Sequence, residues 1–328
     1  MARCKFGLTL TNRGVITGAS TLDDMMRITR QADGDDVWDS IWVGDSVLAK
    51  PRLDSIVLLS ALALQTERLR MGPACFASTP LRPALQLAYQ WFSLDFLANG
   101  RTIFVACQGE AADGGGRFLH EFKALGIDPK SRMRRMEEAI EIMRLTSRGE
   151  NVSYQGEYNN FEDVTIEPRP VQQPMPIWVT ANPQPHHVKF RERSFRRTAR
   201  LGDGWMVTAV PPAVVAEYLD EIRGYAQEEI GRPLTEDFEV AVYYNINVNE
   251  DREAGLAESK RFLDAYYTTD FDRDYLECWV AMGSPERCIE EIQGFIDAGA
   301  TTITLRLAGY EQQHQYRRVT EEVLPAFF

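Results

Sequence analysis

Asp39 to Asp54 read DSIWVGDSVLAKPRLD, a short apolar run that stops at Gly44 and delivers Asp45 and Ser46 into a loop. Apolar residues return from Ile56 to Leu64 at helical spacing, so the stretch is a strand, a loop and the start of a helix. Asp45 has two readings at this point: part of a site, or a carboxylate that caps the helix to come.

The same unit recurs along the chain. KFGLTL (Lys5 to Leu10) precedes a helix around Leu22 to Ala32, LRMGPACF (Leu69 to Phe76) precedes Leu85 to Leu97, and TIFVAC (Thr102 to Cys107) precedes Met133 to Leu145. PIWVT, GWMVTAV, EVAVYYNINV and TTITLRLAG continue the alternation, the last before Gln313 to Leu324. Eight strands in 328 residues predict an α/β fold, a (β/α)8 TIM barrel, in preference to an open doubly wound sheet. We expect one domain over residues 1–328, with Asn151 to Met175 as an insertion before the fifth strand, because the alternation resumes at Pro176 without a change in composition. A second excursion runs from Thr268 to Cys288; near its end Ser284 reads as a helix N-cap and Pro285 as the first helical residue, with Gly299 as the stop.

The composition, 44% hydrophobic, is that of a packed globular protein. No run approaches the about 20 apolar residues of a membrane helix, and MARCKFGLTLTNRG lacks the apolar stretch of a secretory signal, so a cytoplasmic protein without a membrane partner is expected. A net charge of −12 and a pI near 5.0 argue against nucleic-acid partners, since phosphate backbones demand a basic surface. The one basic cluster, KFRERSFRRTAR from Lys189 to Arg200, reads as a solvated helix face. Five cysteines without a Cys-x-x-Cys pair argue against a disulfide framework and a zinc site. The adjacent His186 and His187 project about 100° apart on a helix, so no metal is expected.

In such a barrel the reacting groups sit where strands end. The residues there are Thr9 and Thr11, Asp45 and Ser46, Cys75 and Phe76, Cys107 and Gln108, Thr180 to Asn182, Thr208, Asn245 and Asn247, and Arg306. This mouth is polar yet poor in strong acids and bases, and no Gly-x-Ser-x-Gly elbow supports a hydrolytic triad. Such a site suits an organic cofactor that carries the hard chemistry while the protein binds and orients it. Cys107 reads either as a reactive thiol or as a small apolar residue in a tight barrel.

WDSIWVGDS, ERLRMGPACFASTPLRPALQLA, LDFLANGRTIFVACQG, RRMEEAIEIMRL, FEDVTIEPRPVQQPMPIWVT, RRTARLGDGWM and MGSPERCIEEIQGFIDAGATTITLRLAG follow one another in an order that resembles the bacterial-luciferase-like flavin oxidoreductases. The resemblance covers nearly the whole chain. It implies FMN, or in one branch a deazaflavin coenzyme, across the C-terminal mouth, and a non-proline cis peptide between Ala74 and Cys75 whose bulge supports the ring. It implies phosphate contacts from Gln108, from Thr180, Ala181 and Asn182, and from an arginine at the start of the helix after the fourth strand. That arginine is Arg135, with Arg132 and Arg134 as competitors, and Thr208 joins the cofactor-binding set. Asp45 and Ser46 fall beside the reactive edge of the ring, Asp45 as a base, and Cys107 matches the reactive-thiol position of light-emitting relatives. Those relatives carry an arginine at Gln108 and a histidine at Ser46, and TANPQPHH departs from their pattern after the fifth strand, so light emission and aldehyde substrates are not carried over.

The expected activity is therefore a flavin-dependent monooxygenase that uses O2 and FMN, reduced by a separate flavin reductase, to oxidise a small or medium organic molecule. Deazaflavin-dependent hydride transfer and a non-catalytic flavin-binding barrel are the alternatives. The resemblance also implies a homodimer through the helices around Ile56 to Leu64 and Leu85 to Leu97.

Overall fold

SIWV, residues 40–43, is buried at every position, the pattern of a parallel strand covered on both faces. The computed structural model describes residues 3–110, 116–183, 188–231 and 233–328. In chain order its strands are β1 (Lys5–Thr9), β2 (Ser40–Val43), β3 (Arg70–Pro73), β4 (Phe104–Ala106), β5 (Val152–Gln155), β6 (Asn160–Val164), β7 (Ile177–Thr180), β8 (Gly204–Thr208), β9 (Glu239–Val248), β10 (Val280–Gly283) and β11 (Thr302–Leu307). Parallel pairing follows the order β3-β2-β1-β11-β9-β8-β7-β4. The two ends of that path meet, since Ile103 N donates to Met71 O at 2.8 Å and Phe76 N to Val105 O at 2.9 Å. This is the expected (β/α)8 barrel, with helices packed around the ring.

Inside the ring Trp42 and Trp178 stack with centroids 5.3 Å apart. They fit because neighbouring strands present glycine: a Cβ on Gly7 would lie 2.2 Å from Trp42 Nε1, and one on Gly204 would lie 2.5 Å from Trp178 Cδ1. Below the indoles, at the N-terminal ends of the strands, Glu239 accepts from Lys5 Nζ at 3.1 Å, Arg70 Nη2 at 2.7 Å and Thr302 Oγ1 at 3.1 Å. The lower half of the barrel is thereby filled. Free volume is left to the C-terminal half.

The insertion forms an antiparallel hairpin of β5 and β6. Buried Glu138, on the helix Arg132–Thr146, holds its turn by accepting from Glu157 N at 2.6 Å, Asn159 N at 3.0 Å and Asn159 Nδ2 at 2.8 Å. The second excursion contributes the helix Arg273–Trp279 and β10, which pairs with the upper end of β9 outside the ring order.

The arginine-rich helix Val188–Leu201 departs from the expectation of a solvated face. Arg191 pairs with Glu217 and Glu221, and Arg196 with Glu229 at 2.8 Å, so its charges dock it on the helix Pro212–Ile230. Val57 and Leu64, and Tyr89 and Phe96, are exposed in the two segments expected to pair copies of the chain.

Two glycines separate packing from conformational cost. Gly204→Val is expected to lower the unfolding free energy by about 1–3 kcal/mol through overpacking against Trp178. Gly224→Ala, on an exposed helical position with open space around it, should raise it by about 0.5–1 kcal/mol. Urea unfolding followed by tryptophan fluorescence reads both; a neutral Gly204→Val would contradict the packing argument.

Candidate active site

The C-terminal ends of the strands surround a cavity of about 550 Å³, within the range of small-molecule sites. One wall consists of the small and polar strand ends Ala74, Cys75, Cys107, Gln108, Thr180, Ala181 and Asn182. The facing wall is aromatic, from Tyr243, Tyr267, Phe271, Tyr275 and Trp279. Lys50, Arg52 and Arg306 bring positive charge to the same space.

The peptide between Ala74 and Cys75 is cis, as the family resemblance implied. Asp45 ties this bulge to the loop after β2. Its Oδ2 accepts from Ser78 N at 2.7 Å and its Oδ1 from Ser55 Oγ at 2.7 Å, with Arg82 Nη2 3.9 Å away. The following helix is capped instead by Asp54, which accepts from Ile56 N at 3.0 Å and Val57 N at 3.1 Å. Asp45 lines the cavity, but its carboxylate is 1% exposed and holds a donor on each oxygen. That arrangement makes it a positioning residue rather than a base.

Ser46 is turned away from the cavity. Its hydroxyl donates to Lys50 O at 2.7 Å and accepts from Lys50 N at 3.3 Å, closing the turn that carries Lys50 to the mouth. Glu121 clamps the same turn, accepting from Leu48 N and from Ala49 N, the latter at 2.7 Å. Lys50 Nζ lies 4.6 Å from the centre of the Tyr267 ring and 5.0 Å from that of Phe118. Burial, and then the charges of Arg52, Arg13 and Arg306, push its ammonium down to about 7.

Cys75 and Cys107 meet across the junction of β3 and β4. The interaction between the two sulfurs holds the Cys107 thiol below its ordinary value and, with burial, pushes Cys75 well up. Thr180 Oγ1 donates to Ala106 O at 3.2 Å, and Thr208 Oγ1 donates to Tyr243 O at 2.9 Å while accepting from Trp279 Nε1 at 2.6 Å. Gln108 keeps a buried Oε1 without a hydrogen-bond partner among the described residues.

Arg135 does not line the cavity. Its Nε donates to Ser131 Oγ at 3.0 Å and its guanidinium sits 4.5 Å over the Tyr158 ring of the inserted hairpin. Arg134 is committed to Glu137, Glu138 and Glu141. Of the three competitors Arg132 alone retains a buried, unpartnered Nε among the described residues. His186 and His187 lie outside the described residues.

Sequence reasoning passed over Lys50, Arg52, Glu110 and most of the aromatic wall, all of which line the cavity. A signal existed for Lys50: it follows Asp45 by one loop, between an apolar run and Pro51. Phe271, Tyr275 and Trp279 sit in the second excursion, where the helical spacing is shortest.

This fold agrees with that of known proteins. Residues 4–302 match the family model described as luciferase-like monooxygenase, and the chain belongs to that family. A curated relative, the F420-dependent glucose-6-phosphate dehydrogenase of Amycolatopsis mediterranei, is 24% identical over 315 residues, covering 88% of this chain and 89% of its own. The 5,10-methylenetetrahydromethanopterin reductase of Archaeoglobus fulgidus is 25% identical, over 71% of this chain and 60% of its own. Among solved structures, an F420-dependent secondary alcohol dehydrogenase aligns over 100% of both chains with a TM-score of 0.78 at 16% identity. The monooxygenase RslO1 from Streptomyces bottropensis aligns over 99% of this chain and 100% of its own, with a TM-score of 0.77 at 22% identity. The chain is thus an oxidoreductase-family barrel.

The thiol pair yields a direct check. Iodoacetamide at neutral pH is expected to modify Cys107 before Cys75, because the nucleophile is the thiolate. Peptide mass spectrometry over a time course reads the order; prior labelling of Cys75 would contradict the assigned order of acidity.

Proposed function

We propose that this protein is a deazaflavin-dependent oxidoreductase, using coenzyme F420 to move a hydride to or from a small organic substrate. The observation that carries this reading is the match to F420-dependent glucose-6-phosphate dehydrogenases over most of both chains. FMN-dependent oxygenation, the first expectation from the sequence, is the competing reading. The solved monooxygenases support it only through the shared fold.

The wall of small strand ends suits a planar ring. Ala74, Cys75 and Ala77 leave it low, and Gly109, at φ +68°, passes so close to Ala77 that a Cβ would lie 3.0 Å from the Ala77 carbonyl. The unpartnered Gln108 Oε1 is an acceptor available to a ring or chain donor. A bound deazaflavin supplies hydride chemistry at its ring. Thr180, Ala181 and Asn182 are the groups we assign to its phosphate end, and Thr208 steadies the wall through Tyr243 and Trp279. The aromatic wall shields the substrate face from water and orients an apolar body.

Hydride transfer between an alcohol and a carbonyl also moves a proton on oxygen. Glu110, a carboxylate on the cavity wall in the loop after β4, is the residue we assign to that exchange.

The test follows F420 absorbance with secondary alcohols and sugar phosphates as substrates. Turnover is expected to be equal in anaerobic and aerated buffer. Glu110→Gln should cut kcat by about 10²-fold or more while changing F420 affinity less than about threefold. Substrate oxidation that requires FMN and consumes O2 would replace this reading with the monooxygenase.

A further inference from the structure

Four cations converge at one side of the cavity mouth. Arg13 follows β1, Lys50 and Arg52 follow β2, and Arg306 lies on β11. Tyr266 and Tyr267 form their common support. The Arg306 guanidinium lies 4.1 Å over the Tyr266 ring and its Nη1 donates to Tyr267 OH at 2.9 Å, while Arg52 lies 5.6 Å over Tyr266 and Lys50 4.6 Å over Tyr267. Arg13, Arg52 and Arg306 have no carboxylate partner within ion-pair distance among the described residues. The carboxylate whose field reaches Lys50 is that of Glu110.

Such a cluster is costly in the bare protein. Like charges held together out of water repel, and a buried guanidinium with idle N–H groups forfeits its hydration. Arg306 is 1% exposed and its Nε is buried without a partner; Arg13 is 7% exposed, with both Nε and Nη1 in that condition. Elsewhere in the barrel a structural arginine has its donors taken: Arg70 pairs with Glu239, and Arg101 donates to Thr66 Oγ1 and to the carbonyls of Leu69, Ala63 and Thr66. Arg306, which lines the cavity, instead keeps an idle donor there, with Arg13 behind the lining.

We propose that Lys50, Arg52 and Arg306, reinforced by the charge of Arg13, bind an oxyanion of the substrate, so that the substrate is an organic acid or a phosphate ester. The inference rests on the oxidoreductase reading above for the word substrate, and names its chemical class. The strand order sets Arg306 apart from the phosphate end assigned to the coenzyme, because β11 lies across the ring from β4 and β7, while Lys50 and Arg52 follow β2, beside the β3 end of the ring wall. An acid group held at the cations would place the rest of a small molecule over the cavity, between the ring wall and the aromatic wall. Guanidinium donors match the paired oxygens of carboxylate and phosphate, and the Lys50 ammonium adds a point charge.

Lys50 reports directly on the event. In protein labelled with 13C at the lysine ε-carbon, the Lys50 resonance is assigned by its loss in Lys50→Arg, and its titration midpoint in the free protein is expected at about 7, well below that of an exposed lysine. Acetate and inorganic phosphate are the probes, at constant ionic strength set with potassium chloride, first on the free protein and then with F420 bound. The bound oxyanion should raise the midpoint by about one unit or more, because an opposite charge favours the ammonium form. Arg52→Gln and Arg306→Gln should each weaken the probe by at least about fivefold; if Arg306→Gln fails to fold, the partly exposed Arg52 carries the comparison.

A shift with acetate alone assigns a carboxylate, a shift with phosphate alone assigns a phosphate ester, and a shift with both supports the shared chemistry. No shift with either probe would overturn the proposal, as would equal affinity in Arg52→Gln. Loss of the shift on loading F420 would also overturn it, by assigning the cations to the coenzyme's own acid groups. The titration involves no turnover, so a protein that binds the probes yet leaves F420 unreduced would lose the hydride reading and keep the oxyanion site.

Discussion

Two indoles stacked at 5.3 Å decide where this barrel can hold a ligand. Trp42 and Trp178 occupy the axis only because Gly7 and Gly204 present no side chain to them. Any Cβ at those glycines collides with an indole, so the lower barrel has one way to fill. Beneath them Glu239 ties Lys5 and Arg70 together through one carboxylate. The remaining volume opens at the C-terminal ends of the strands, where strand residues and the loops after them supply the groups that can meet a coenzyme or a substrate.

The loop that opens the sequence reading serves this arrangement indirectly. Asp45 holds the bulge after β3 in place, and Ser46 closes the turn that brings Lys50 to the cavity. Both residues act through others. The two thiols at the β3–β4 junction form part of the adjoining wall, where their interaction makes Cys107 the more acidic sulfur. Polarity in the mouth is therefore divided: a wall of neutral strand ends on one side, a group of cations on the other.

The barrel was legible because strand and helix periods alternate without interruption, and the cis bulge at Ala74 was legible through the family resemblance. The site was less so, because its partners are distant in the chain. Asp45 meets Ser78, 33 residues on, and no local pattern shows that both its oxygens are taken. Arg135 stood at a plausible helical position, yet its ring partner Tyr158 belongs to an inserted hairpin whose docking depends on Glu138. Lys50 became a candidate only once burial and three neighbouring guanidiniums acted on it together. The choice of coenzyme came from relatives, since strand ends of this kind admit either flavin or deazaflavin.

That choice is the central claim, and competitive equilibrium binding measures it most directly. Purified protein titrated with F420, and then with FMN as competitor, should hold F420 at least about tenfold more tightly, a difference of about 1.4 kcal/mol. FMN bound as tightly as F420, or more tightly, would contradict the assignment of this cavity to a deazaflavin.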